Sequence, residues 1–490
     1  MNGGIMYVST KAILFFMILL SHTLAWSPTV NELSKKQWKW SPGKKTFASS
    51  IKTSIFMSTK SSDVSQKMLK YNENSGNIVL RPSYDNDTNF DSFLIGSPRV
   101  HRYTRDASVA ASDAEYVMWY HGRSIEMKDS NTLPPLSTGR IGRAFSKNGL
   151  HWEKSTTEPL GASLAEDIDG VSLGLNKDEW WSFDTAHVGL GQVLLPMSNP
   201  AVITEGGVYL MYFMGGNMEE TDLSCYLDSV PEKEQKIKGM KMKIGVALSQ
   251  DGKAWGRIEG DDPTGAVMVP YDKSDTSQKL NVDDTSAAIW NVEEELYCAW
   301  PDVYVNINMG SGEQAFNMYY STMTKLGKEK VIARAVSEDG FRWFKRGVCL
   351  RPDKDTDESL DAAGCARPNV FKNLEYDSDK ENWEDTPKKN ALWIMHYEGV
   401  SSIDGKHRIL KAESDDGFTW IKKGIVLDVG EGDQSWDSYG VGSSHILRMD
   451  DGSLRMYYTG QNKDKQTAIG VARTNNDGIF VREQAEFSFA

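Results

Sequence analysis

The chain of 490 residues carries a formal charge of −13, and its 39% hydrophobic content excludes wholesale disorder and fits one large all-β domain or two to three ordinary ones. Residues 1–70 hold ten lysines against Glu32 and Asp63, a local charge of +8 that leaves −21 on the remainder. An acidic body of that kind repels phosphate backbones and argues against nucleic acid as a partner.

The predicted elements begin with a short apolar run, AILFFMILL at 12–20, too short to span a bilayer comfortably. Thr23-Leu24-Ala25 follows it as a small-residue ending, so residues 1–25 read as a signal peptide. Residues 26–72, opening on Trp26 and rich in Ser, Thr and Lys, read as a disordered, transit-like presequence. Together they resemble the two-part presequence of algae with secondary plastids; the expectation is plastid import, with secretion and a membrane anchor as alternatives. No second apolar run of spanning length follows, so no stable membrane anchor is expected after processing.

From about residue 78 one pattern repeats. Its clearest part is a turn: Ser146-Lys147-Asn148-Gly149 before Trp152, Ser249-Gln250-Asp251-Gly252 before Trp255, Ser337-Glu338-Asp339-Gly340 before Trp343, and Ser414-Asp415-Asp416-Gly417 before Trp420. Asn-Gly and Asp-Gly supply the positive φ that a tight hairpin needs. Each turn ends an alternating strand: GRIGRAFS (139–146), MKIGVALS (242–249), VIARAVS (331–337) and RILKAES (408–414). A fifth, irregular copy is TAIGVART (467–474) with Asp477-Gly478 and Phe480. Upstream of each lies an aromatic strand: YVMWY (116–120), YLMYF (209–213), NMYY (317–320), LWIMHY (392–397) and LRMYY (454–458).

Further upstream again, Asp91, Asp184, Asp283, Asp361 and Asp437 each lead a strand with a small residue at +5 (Gly96, Gly189, Ala288, Ala366, Gly442) and an aliphatic at +9 (Val100, Val193, Val292, Val370, Ile446). Small side chains suit innermost strands that crowd an axis. The pattern predicts an all-β fold, a five-bladed β-propeller of four-stranded antiparallel blades over 78–490. The blades cover about 91–160, 184–262, 283–352, 361–430 and 437–485. The segment 78–82, Ile-Val-Leu-Arg-Pro, reads as a fourth strand that closes the ring.

Cys225, Cys298, Cys349 and Cys365 show no C-x-x-C pair and no accompanying His cluster, which sets aside zinc and thioredoxin-like chemistry. Free thiols are expected, with one disulfide as the alternative. Asp353, Asp355, Asp357 and Asp361, echoed by Asp85, Asp87, Asn89 and Asp91, are spaced like a calcium loop but lack its sixth-position Gly and twelfth-position Glu. They read as solvated loop charge, and the expectation is no metal and no cofactor.

With this repeat, the chain over about 78–485 resembles the five-bladed superfamily of arabinanases, invertases and levansucrases, related to glycoside hydrolase family 43. The resemblance implies a carbohydrate substrate or ligand in a central funnel and, for hydrolysis, two carboxyl groups flanking the scissile bond. In family 43-like enzymes the base is an Asp just before a Pro on an innermost strand. Here Pro98 and Pro368 match that Pro, but Ser97 and Arg367 precede them, and Leu190, Ile289 and Ser443 occupy the positions expected to correspond.

The candidate carboxylates are therefore the blade-leading Asp91, Asp184 and Asp283, opposite Glu398 as general acid. The alternative for those aspartates is backbone bonding at strand starts. Candidate sugar-binding residues break the repeat on the first two strands of each unit: Arg99, His121, Arg123, His187, Arg367, Asn369, His396 and His445, with Gln461 beside them. Two functions follow from this reading: a glycosidase (O-glycosyl hydrolase), or a non-catalytic glycan-binding or plastid scaffold propeller. Neither identifies a protein partner.

Overall fold

The computed structural model describes residues 76–84, 89–103, 115–124, 139–156, 170–195, 208–227, 236–275, 292–306, 316–354, 359–387 and 391–484. All of them lie in the unit Tyr71–Ala490. The signal-like and transit-like segments, Asp283, Asp85, Asp87, Asp355 and Asp357 lie outside the described residues. Among the described residues there is no α-helix, and no helix is long and apolar enough to cross a membrane.

The architecture is all-β and almost wholly antiparallel. Leu94–Tyr103, Glu115–Arg123, Arg140–Ser146 and Glu153–Lys154 pair in that order, with Val171–Leu173 also on the third strand. His187–Leu194, Tyr209–Gly216, Lys243–Ser249 and Gly256–Ile258 repeat the arrangement, as do Glu295–Val305, Phe316–Thr324, Lys330–Ser337 and Phe344–Leu350. Gly364–Lys372, Trp393–Val400, His407–Ser414 and Ile421–Leu427 follow. Last come Gly440–Arg448, Leu454–Gln461 and Thr467–Thr474, the last of these pairing with both Phe480–Arg482 and the distant Ile78–Leu80. The bridge His407↔Gly440 joins these last two runs in parallel.

The glycine turns form as their sequence dictates. Gly149, Gly252, Gly340 and Gly417 hold φ between 68° and 81°, and each donates its N–H to the Ser hydroxyl three residues back at 2.8–2.9 Å. In the core, one aliphatic–methionine pair recurs in register: Val100↔Met118, Val193↔Met211, Val303↔Met318, Val370↔Met395 and Ile446↔Met456. Every one of those methionines is fully buried, where its flexible thioether fills space between neighbouring sheets.

That register corrects the third repeat. Its first strand is Glu295–Val305, downstream of the expected Asp283–Val292 frame, and Val292 precedes the strand. A glutamate leads it, and the aliphatic lies at +8. The spacing rule was met by chance upstream and concealed the true strand.

The leading acids share one environment. Asp91 accepts from Tyr120 Oη at 2.9 Å and Lys154 Nζ at 2.6 Å. Asp361 takes Tyr397 Oη at 2.9 Å and Lys422 at 2.6 Å, and Asp437 takes Tyr458 Oη and Arg482 Nε, both at 2.9 Å. Glu295 takes Tyr320 Oη at 2.6 Å and Lys345, and Asp184 takes Ser182 Oγ and Arg257 Nε, both at 2.6 Å. Each base sits on the strand at its sheet's far edge, so a part-buried ion pair ties the start of the first strand to the last. The acids are buried while most of the bases keep some exposure, so removing one partner should cost less than the about 3–5 kcal/mol of a fully buried pair.

Successive sheets are also pinned to one another. Trp119 Nε1 donates to Gly252 O at 3.0 Å, Tyr212 Oη to Gly340 O at 2.9 Å, and Tyr319 Oη to Gly417 O at 2.6 Å. Tyr457 Oη then returns to Gly149 O at 2.8 Å.

Candidate functional site

The first strands share a local irregularity that builds the site. Their ladders skip between Gly96 and Arg99, Leu190 and Gln192, Ala299 and Asp302, Ala366 and Asn369, and Gly442 and His445. A bulge of this kind re-aims side chains. Ser97, Trp300, Arg367 and Ser443 sit in these bulges with φ of 47–50°. Left-handed backbone in non-glycine residues stores strain. Here it recurs at corresponding places in the repeats, so it belongs to the fold rather than to one special residue.

Ser97, Leu190, Trp300, Arg367 and Ser443 line a cavity of about 220 Å3, with His121, Arg123, Met214, Glu398, His407, Thr459 and Gln461 among the other walls. His121, Met214, Ser321, Glu398 and Thr459 occupy matching second-strand registers, opposite Gly96, Gly189, Ala299, Ala366 and Gly442. The small residues make room. A Cβ on Gly442 would meet Glu398 Oε2 at 1.8 Å, and one on Gly96 would meet Thr459 at 2.9 Å.

Glu398 is 3% exposed, with Arg367 Nη1 at 2.6 and 2.7 Å from its two oxygens and His407 Nδ1 at 2.6 Å. Burial works against its charge, but the Arg367 cation and the His407 hydrogen bond outweigh it and push its pKa down to about 2. The expected general acid is thus a held carboxylate with no proton to give at neutral pH. Arg367 also lies 4.7 Å over the Trp300 ring, and its Nε has no hydrogen-bond partner.

Across the pocket, Arg123 Nε donates to His121 Nε2 at 3.0 Å. Burial, with the like charge of Arg367, pushes Arg123 down to about 9. Burial likewise carries His121 well below its ordinary range, with Arg123, His187, Arg367 and Arg140 adding to it, so the ring is neutral and accepts.

Two residues further along each first strand lies a second, buried polar layer: Arg99, Gln192, Asp302, Asn369 and His445. Asp302 accepts from Val370 N at 2.7 Å, Gln192 Nε2 at 3.1 Å and Asn369 Nδ2 at 3.3 Å, with Arg99 Nη2 at 3.9 Å. His445 Nε2 bonds Val100 O at 2.9 Å.

The structure therefore sorts the sequence candidates. It brings His121, Arg123, Arg367, Glu398 and Gln461 to one pocket. It places Arg99, Asn369 and His445 in the buried layer, and Asp91 and Asp184 in the ion pairs between first and last strands. His187 bonds Gly239 O at 2.8 Å, and His396 is buried edge-on between Phe371 and Phe480; neither lines the pocket. Sequence reasoning missed Trp300, Asp302 and His407. Trp300-Pro301-Asp302 repeats the form of Ser97-Pro98-Arg99 and Arg367-Pro368-Asn369, a signal lost once the third strand was framed on Asp283. His407 stands one residue ahead of the strand predicted from Arg408.

No protein-family model and no curated protein matches this chain. Among solved structures, it is similar to a glycoside hydrolase at 16% identity and TM-score 0.49, over 82% of this chain and 92% of that one. It is similar to a glycosyl hydrolase from Bacteroides ovatus at 13% identity and TM-score 0.48, over 84% and 94% of the two chains. A sucrose-6-phosphate hydrolase from Lactobacillus gasseri matches at 11% identity and TM-score 0.46, over 84% of this chain and 63% of its own. At such distances the pocket has to be read from its own residues.

Proposed function

We propose that the repeated sheets are the five four-stranded blades of a closed propeller, and that its axial pocket binds a sugar without cleaving it. The turn-glycine contacts that lead from Trp119 onward and return through Tyr457 to Gly149 support the ring. A pocket that mixes an aromatic face, Trp300, with Ser, Gln, His and Arg groups suits a sugar, which offers hydroxyls on its edge and C–H groups on its faces. Its volume is below the roughly 300–1,000 Å3 of most small-molecule sites, which favours a single sugar unit.

One observation carries the non-catalytic reading. Among the described residues the pocket presents one carboxylate, Glu398, and that group is already ionised and clamped by Arg367 and His407. Glycoside hydrolysis requires a pair, one of them protonated. The blade-leading acids are, on this reading, structural ties between first and last strands.

The test is a glycan panel assayed both for binding and for release of reducing sugar. Binding without release is expected. Release that disappears in Glu398→Gln would instead establish the glycosidase. The leader belongs to the same proposal: residues 1–72 direct the chain to a plastid. A fluorescent protein carrying them should accumulate there, and secretion of the fusion would overturn that part.

A further inference from the structure

Trp180 and Trp181 are 85% and 48% exposed, and their rings meet edge to face with centroids 6.0 Å apart. Scattered apolar residues are ordinary on a surface, but adjacent large aromatic groups left in water mark an interaction site. The turn that carries them is fixed. Glu179 N donates to Asn176 Oδ1 at 3.2 Å, Asn176 Nδ2 to Glu179 Oε2 at 3.0 Å, and Ser182 N to Glu179 O at 2.9 Å. Just beyond, Phe183 is buried and stacked on Phe213, with its N–H on Thr264 O at 3.2 Å. The backbone therefore holds both indoles out in water, and such stiff side chains lose little freedom on binding. They also lie at the pocket's end of the strands. Residues 94–97 and 440–443 line the pocket from the starts of their first strands, and Trp181 stands just before the first strand that starts at His187.

We infer that Trp180 and Trp181 form a second glycan site, outside the pocket, on which units of a neutral sugar chain stack. The inference rests on the glycan reading above and extends it from one unit to a chain. Size and surroundings select this occupant. The exposed indole surface amounts to about 300 Å2, taking roughly 250 Å2 for a whole Trp, against about 800 Å2 per partner in a stable protein interface. Its sequence neighbours are the exposed, charged Lys177 and Asp178 and the half-buried Glu179 rather than further apolar groups. A lipid surface calls for a broader apolar face with a basic rim, and the −21 carried outside residues 1–70 opposes anionic lipid. A sugar fits both features. Its C–H faces lie flat on an indole, and its hydroxyls donate to a carboxylate such as Asp178.

Calorimetric titration of the full chain with xylo-, manno- and arabino-oligosaccharides, each against the methyl glycoside of its own unit, tests this. At least one oligosaccharide should bind about tenfold tighter than its methyl glycoside, the scale of one aromatic stacking contact. That gain should vanish in the double variant Trp180→Ala/Trp181→Ala and survive largely in Trp180→Phe/Trp181→Phe, with thermal unfolding confirming that both fold. Oligosaccharides that gain nothing over their units, or whose gain is unchanged in the alanine variant, would overturn this inference and leave the pocket reading standing. An alanine variant altered only in its sedimentation, or only in its retention on phosphatidylcholine vesicles, would assign the two indoles to a protein or lipid contact and overturn the inference as well. No sugar binding at all would overturn both readings.

Discussion

Asp302 and Glu398 are almost equally hidden, at 1% and 3% exposure, yet their surroundings push them in opposite directions. Burial raises the Asp302 pKa, and the one nearby cation, Arg99 at 3.9 Å, opposes it together with hydrogen bonds from Val370 and Asn369. At Glu398 burial is overruled, because Arg367 touches both oxygens within 2.7 Å and His407 adds a third contact. Coulomb energy falls with separation and with screening, so a shorter distance to the cation decides the sign. The inner layer is a buried polar plug centred on Asp302, which accepts from Gln192, Asn369 and Val370 N. The cavity beside it gathers Arg123, Arg367 and Glu398. Two neighbouring layers of the same strands thus differ: one is packed around Asp302, and the other lines the cavity.

The largest effect expected from this contrast is in the plug. Asp302→Ala leaves Arg99 buried beside its own layer and removes the acceptor for Val370 N, Gln192 and Asn369. Urea unfolding should report a loss of about 3–5 kcal/mol. A loss below about 1 kcal/mol would mean that Asp302 is not the hub of that layer.

Glu398→Gln should cost less at neutral pH, on the order of 1–3 kcal/mol, because Arg367 is partly exposed and keeps some hydration. Its pH signature is the sharper measurement. The folded pKa lies below the ordinary 4.5, at about 2, so the carboxylate's contribution is complete above pH 4.5 and drains away as pH falls toward 2. The stability gap between wild type and Glu398→Gln should therefore close over that interval. Asp302 has the opposite sign. Its pKa is raised, so its ionisation counts against folding as pH climbs through the folded value. A gap for Glu398→Gln that stays constant from pH 4.5 to 2 would contradict the clamp.

Much of this organisation is written in local chemistry and could be read without coordinates. Gly149, Gly252, Gly340 and Gly417 announce their turns because no other residue holds that φ without strain. The aromatic strands announce themselves because their pattern of large residues repeats. Pocket membership was legible where a polar residue broke the repeat, as at His121, Arg123, Arg367 and Glu398. The same rule did not separate out Arg99, Asn369 and His445, because sequence position does not reveal which side of a bulge a side chain occupies, nor His187 and His396, which lie off the cavity wall. Asp302 and Trp300 were hidden for a simpler reason. A glutamate does the leading acid's work in the third repeat, and Glu295 bonds Tyr320 as Asp91 bonds Tyr120, so a search for aspartate passed over it.

The smallest effects should come from the contacts that pin sheet to sheet, and there the comparison can be made within one register. Trp119, Tyr212, Tyr319 and Tyr457 lie opposite Arg99, Gln192, Asp302 and His445, and each donates to a turn glycine of another sheet. Tyr457→Phe removes one such bond and should lower stability by about 1 kcal/mol, leaving the ring packing intact. His396 occupies the same register opposite Asn369, but its Nδ1 has no partner and its ring meets Phe480, beside the Asp477-Gly478 turn. Burial holds this histidine's pKa at about 3, so it contributes no charge, and its unpartnered Nδ1 makes no bond to the next sheet. A tyrosine there carries its hydroxyl further out, toward the turn that its counterparts reach. His396→Tyr should therefore gain about 0.5–1 kcal/mol, and combining it with Tyr457→Phe should nearly restore wild-type stability if the two contacts are equivalent links of one ring. A large loss in His396→Tyr would show that the fourth and fifth repeats pack by a different rule from the rest.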